Sequence, residues 1–208
     1  MMTLRTVHRW SAIILVAFVC VHIANHLVSL LSVSMHIAFM RTARTVYRHP
    51  VAETVLLASV ATQAVSGLAL VMKGWRSRRG RVAWMQAASG AYLAMFLVVH
   101  VAAVLAGRVI FGLDTNFFFA AAGLHVPPYQ LFFAPYYFLA VWAFFAHVAC
   151  ALQHHAQWQP RTRSLVLIVL TASGGVVALL LVLSLAGRIA PFAVPAEYKA
   201  VYSSSVRP

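Results

Sequence analysis

A chain of 208 residues with 62% hydrophobic and only 9% charged side chains cannot cover a water-facing surface, since an ordinary soluble domain carries roughly 25% charged residues. The formal charge of +13, with Glu53, Asp114 and Glu197 as the only acids, would suit nucleic acid. The basic residues instead stand at the ends of apolar segments, where they meet lipid headgroups and set topology, so no nucleic-acid partner is expected. The composition predicts an all-α polytopic membrane protein, a five-helix transmembrane bundle in one domain. Cys20 and Cys150 fall inside apolar segments, with no disulfide framework or zinc spacing.

A helix needs about 20 apolar residues to cross a bilayer. Arg5 and Arg9 precede a stretch free of Lys, Arg, Asp and Glu from Trp10 to Met40. That is too long for the core of a cleaved signal peptide, so it reads as a retained first span, from about Trp10 to Leu31. A short linker with Arg41, Arg44 and Arg48 ends at His49-Pro50, where proline suits a helix start. The second span runs from about Val51 to Met72. A basic turn with Lys73, Arg76, Arg78, Arg79 and Arg81 leads to the third, from about Val82 to Gly107. Residues 108–131, with the Phe117–Phe119 run and Pro127-Pro128, read as an interfacial or re-entrant loop. The fourth span runs from about Phe132 to His154 and the fifth from about Leu165 to Gly187. Residues 1–187 thus form the transmembrane domain, and 188–208, with three prolines, a short extended tail.

Five spans put the termini on opposite sides. The side of the N-terminus collects nine Lys/Arg (Arg5, Arg9, the five at 73–81, Arg161, Arg163) and the other seven, including the remote Lys199 and Arg207. The bias favours a cytoplasmic N-terminus.

Imidazoles sit deep in three spans: His22 and His26 in the first, His100 in the third, His147 in the fourth. A polar ring in hydrocarbon marks a functional site facing the bundle interior, and a haem iron takes neutral imidazoles as axial ligands. At 1.5 Å of rise per residue, His26 and His100 fall at similar depth in the outer half, His22 near mid-membrane and His147 in the inner half. The expected site lies between spans one and three, with His26 or His22 facing His100. Small residues flank the rings at helical spacing: Gly90 before His100, and Ala140, Ala143 and Ala151 around His147. His8, His36, His49, His125, His154 and His155 lie near span ends and read as interfacial. Span two carries the polar stripe Ser59, Gln63, Ser66 and Gly67, a packing seam or a border to a cofactor or quinone. Glu53 reads as the partner of an arginine such as Arg48.

Five spans with histidines on the first, third and fourth resemble the membrane-anchor cytochrome b subunit of succinate dehydrogenases and fumarate reductases. The opening His8-Arg9-Trp10-Ser11 is similar to the His-Arg-x-Ser stretch that begins the first helix of many such anchors, although Ala12 replaces the family's glycine. The resemblance implies a haem b held by His22 or His26 with His100, and a quinone site bordered by Arg9 and Ser11. It implies a nearer haem held from spans two and four. His147 matches the span-four ligand, but span two offers Gln63 where a histidine is expected, so one haem is the base expectation and two need a ligand such as His22 at the nearer level. It also implies an electron-transfer subunit without catalytic residues of its own, between a quinone pool and flavoprotein and iron–sulfur partner subunits, in a bacterial cytoplasmic membrane. Two other classes fit the residues: a di-iron hydroxylase or desaturase built on His22-x-x-x-His26 and Gln153-His154-His155, and a haem-free anchor or assembly protein.

Overall fold

Five helices long and apolar enough to cross a membrane form the body of the molecule: α1 (Leu4–Val28), α3 (Pro50–Lys73), α4 (Arg81–Val109), α6 (Gln130–His155) and α7 (Pro160–Leu185). Three shorter helices lie between or after them: α2 (Val33–Tyr47), α5 (Phe117–Ala122) and α8 (Ala196–Ser203). The computed structural model describes residues 3–155 and 157–203, with the side chains of His154, His155 and Ser203 outside that description, as is Arg207. In no span is more than 22% of the hydrophobic window buried. Val65 and Val98 on α3 and α4, and Ile168 and Val176 on α7, all point outward. So much outward apolar surface needs hydrocarbon around it; the chain is an integral membrane protein.

Local chemistry sets the helix starts. Thr3 caps α1 by accepting from the Thr6 N–H, and Ser32 caps α2 by accepting from the Met35 N–H. Asn116 does the same for α5 through Phe118, each satisfying an amide that has no partner within the helix. Pro50 and Pro160 open α3 and α7, where their missing N–H costs nothing. Gly80 (φ 82°) and Gly112 (φ 61°) turn the chain before and after α4 in a region that disfavours other residues.

The spans pack as a ring in the order α1, α3, α4, α6, α7. The ring closes at one end, where Ser29 Oγ lies 2.7 Å from Ser184 Oγ. Among the described residues no Cα of α1 comes within 8 Å of a Cα of α4 or α6, so these helices face one another across the bundle without packing. The two ends differ. One, here the N-face, carries the start of α1, the turn at 74–80 and the start of α7. The other, the far face, carries α2, α5 and α8.

The far face is where the structure departs most from the sequence expectation. The linker at 32–49 is mostly helix α2, and residues 196–203 of the tail, read as extended, form α8. The 108–131 stretch supplies α5, which packs on α2, α7 and α8. Phe117, Ala121, Ala122, Leu185, Val194 and Tyr198 form a buried cluster there. Burying one such aromatic side chain stabilises by roughly 1.5–3 kcal/mol. Ion pairs pin the rim: Arg44 to Asp114 at 2.6 Å, and Arg108 to Glu53. Glu53 therefore pairs with Arg108 of α4, while Arg48 donates to Thr115 Oγ1 at 3.0 Å.

Candidate cofactor site

His22 and His100 approach across the α1–α4 gap, with ring centres 6.2 Å apart and planes at 65°. Each ring is backed by an aromatic one turn earlier on its own helix. Phe18 lies nearly parallel to His22 (5.7 Å, 18°) and Phe96 to His100 (5.0 Å, 12°). Side chains at i and i+4 share a helix face, so both stacks follow directly from local sequence. Phe18 is held edge-on by Tyr47, and Phe96 packs at a tilt on Tyr136. This repeated Phe-x-x-x-His spacing is present in the sequence and is a signal that histidine depth alone does not use.

His26 joins the group, 4.8 Å from His22 and 5.0 Å from His36 by ring centres. His36, on α2, is almost wholly buried rather than interfacial. Its Nδ1–H donates to the Asn25 carbonyl at 2.8 Å, and Phe117 covers its ring. His22, His26 and His100 are different: among the described residues none of their ring nitrogens has a hydrogen-bond partner, and His26 Nδ1 is sealed from solvent as well. An unsatisfied buried polar group such as His26 Nδ1 costs about 1–3 kcal/mol, and the three rings together form a set of nitrogens without partners among the described residues.

The donor set suits an axially ligated metal. Two metal–imidazole bonds of about 2 Å on opposite sides of one metal put the ring centres roughly 6 Å apart, close to the His22–His100 separation. Among the described residues, no three His, Cys, Asp or Glu side chains gather into a set that holds a bare metal ion. A porphyrin supplies the equatorial nitrogens itself and asks the protein for only a pair. The residues fit a haem iron.

His147 does not join this group. It sits on α6 toward the N-face, its Nδ1 3.1 Å from the Gln86 carbonyl and 3.2 Å from Ser89 Oγ, with its ring against Gly90. Gln63 and Ser11 meet each other: the Gln63 amide donates to Ser11 Oγ at 2.8 Å and to the His8 carbonyl. Ser11 is buried in this latch between α1 and α3, whereas Arg9 is exposed. The side chains of His154 and His155 lie outside the described residues.

On the N-face, Trp75 and Trp84 meet edge-on at 5.1 Å, and Arg78 lies 5.3 Å above the Trp84 ring. Tryptophan beside arginine is typical of a membrane–water boundary. No protein-family model, no curated protein and no solved structure matches this chain.

Proposed function

We propose that the chain is a membrane b-type cytochrome subunit that holds a haem between His22 and His100 and passes electrons between a quinone pool and a partner oxidoreductase. The observation that carries this reading is the His22–His100 pair itself: two imidazoles with ring centres 6.2 Å apart, lacking hydrogen-bond partners among the described residues, across a gap that α1 and α4 leave unpacked. When bound, the haem supplies one-electron chemistry at the iron, and the protein supplies ligands, orientation and a low-dielectric shell.

Phe18 and Phe96 fix the two ring planes, and the far-face lid of α2, α5 and α8 excludes water from above. His26 stands one turn from His22 as the neighbouring donor. A quinone, with carbonyl oxygens that accept hydrogen bonds, would take its donor from exposed Arg9, beside the Ser11–Gln63 latch whose own hydrogens are committed to the His8 and Val7 carbonyls and to each other. The basic N-face turn at 73–81 is the docking surface for flavoprotein and iron–sulfur subunits, a role suited to its charge and exposure.

A reduced-minus-oxidised spectrum of the purified protein, with iron and haem quantitation, tests the reading. A sharp b-type α band that diminishes in His100→Ala supports it. Iron without haem indicates a non-haem metalloprotein instead, and neither indicates a structural anchor.

A further inference from the structure

The charges of this chain are sorted by face. All three acids stand at the far face: Glu53 in the first turn of α3, Asp114 before α5 and Glu197 in α8. The N-face has no acidic side chain. Its cations therefore have no side-chain carboxylate to pair with, and their counter-charge has to come from outside the chain. The densest group is the turn between α3 and α4, where Lys73, Arg76, Arg78, Arg79 and Arg81 follow one another closely.

This turn is built, with its own side chains as braces. Arg78 folds back on the end of α3, where Nη2 donates to the Val71 carbonyl at 3.3 Å. Gly74 leaves room for it, since a Cβ there would come 3.0 Å from Nη2. The guanidinium lies 5.3 Å from the centre of the Trp84 ring, and Trp84 meets Trp75 edge-on. Its Nη1 is sealed from solvent and has no hydrogen-bond partner among the described residues. A charge withdrawn from water in this way acts on its surroundings more strongly than a hydrated one. Arg79 donates to the Arg76 and Arg78 carbonyls, at 3.1 and 3.0 Å. Helix α4 then starts at Gly80 without a side-chain cap, and the positive end of its dipole adds to the same field.

Beside this fixed charge is a cavity of about 380 Å³ lined by Met72, Lys73, Trp75 and Arg76. All four are exposed, two apolar and two cationic. That mixture belongs to the membrane boundary, with an indole and a thioether where hydrocarbon begins and cations where headgroups lie. A phosphodiester fits the cationic half. A guanidinium forks onto two phosphate oxygens, and an ammonium adds a point charge. Glycerol and the first acyl carbons fit the apolar half. An acidic peptide of a water-soluble partner would use the cations and leave Met72 and Trp75 idle.

We propose that this cavity holds the headgroup of one anionic phospholipid, with Lys73 and Arg76 on the phosphate, Met72 and Trp75 against the glycerol, and Arg78 as the fixed charge behind them. The inference requires only the membrane-spanning fold, so it is independent of the haem. It assigns Lys73 and Arg76 to lipid and leaves exposed Arg79 and Arg81 to docking subunits.

The test is native mass spectrometry of the full chain in a neutral detergent, titrated with phosphatidylglycerol or with phosphatidylcholine of the same acyl chains. Phosphatidylglycerol is expected to be retained about tenfold or more tightly, and Lys73→Gln with Arg76→Gln should abolish that preference. Arg161→Gln with Arg163→Gln removes the same charge from the same face and should preserve it. Met72→Ser, at unchanged charge, should weaken phosphatidylglycerol a few-fold. Circular dichroism checks that each variant keeps its helices, and the single substitutions Lys73→Gln and Arg76→Gln should each give part of the loss. No retained lipid, equal retention of the two lipids, or equal loss of preference in both double variants overturns the inference, the last by showing a diffuse effect of charge. Displacement of the lipid by inorganic phosphate at matching concentration also overturns it, because a free anion then suffices. Tighter binding of a glutamate-rich peptide than of phosphatidylglycerol does so too, by assigning the cavity to an acidic protein.

Discussion

The two histidine levels hold their imidazoles by opposite means. At the far level the support comes from the same helix: Phe18 under His22 and Phe96 under His100, with no hydrogen bond to any ring nitrogen of the pair among the described residues. At the N-face level, for His8 and His147, it comes from another helix: a glycine for clearance and a serine for the Nδ1 hydrogen, Gly67 and Ser66 on α3 and Gly90 and Ser89 on α4. Stacking fixes a ring plane but leaves its protonation open. A hydroxyl already committed as donor, as Ser66 is to the Thr62 carbonyl and Ser89 to the Met85 carbonyl, fixes the tautomer as well. The far pair is therefore set by local sequence, and the N-face pair only by the meeting of helices.

The largest effect is expected from His22→Ala or His100→Ala, each of which should sharply reduce the b-type α band in the reduced-minus-oxidised spectrum. Gly90→Ala comes next. The new methyl would stand 2.8 Å from His147 Cε1, and overpacking of this kind costs about 1–3 kcal/mol. It should lower the thermal midpoint of the bundle, while Gly175→Ala, with 3.7 Å to Trp142, should not; equal midpoints in both would show that the glycine does not hold the ring. Ser89→Ala should be milder, about 0.5–1.5 kcal/mol, because the Gln86 carbonyl still accepts from Nδ1. A smaller fall in the same thermal midpoint would register it.

The lid above the far level gives a pH effect. Burial pushes the His36 imidazole below its ordinary value of 6.5, partly offset by its bond to the Asn25 carbonyl and reinforced by nearby Arg44. An opened α2 would take up a proton that the closed lid resists. Closure is therefore fully stable above 6.5 and weakens as the pH falls below it. Hydrogen exchange over 33–47 should quicken between pH 7 and 5 in the wild type and stay flat in His36→Gln. The smallest effect is expected from Glu53→Gln. The Glu53–Arg108 pair is partly exposed, such pairs are worth about 0–1 kcal/mol, and the α band should persist unchanged in difference spectra.

The spans were legible because each is a long, nearly uncharged apolar run, and hydrocarbon thickness fixes their length. Rise per residue was enough to bring His100 to the level of the His22–His26 turn, but not to rank His22 against His26. The structure puts the His22 ring opposite His100 and His26 beside His36. Helix α2 was hidden because its start depends on one capping serine, Ser32, in a stretch otherwise read as linker. Helix α8 follows a tail rich in proline and gains its support from α5. The Ser-Gly cradles were present as two dipeptides, but their meaning lies in the rings they receive, 58 positions away for both the His8–Ser66 and Ser89–His147 bonds. Periodicity within a helix carries no such information.

The most direct measurement is low-temperature electron paramagnetic resonance of the oxidised protein, wild type against His100→Ala. Two imidazoles on one ferric haem give a low-spin signal. The account predicts that signal in the wild type and its loss, to a high-spin signal or to none, when His100 is gone. No ferric haem signal in the wild type, or a low-spin signal untouched by the substitution, would contradict it.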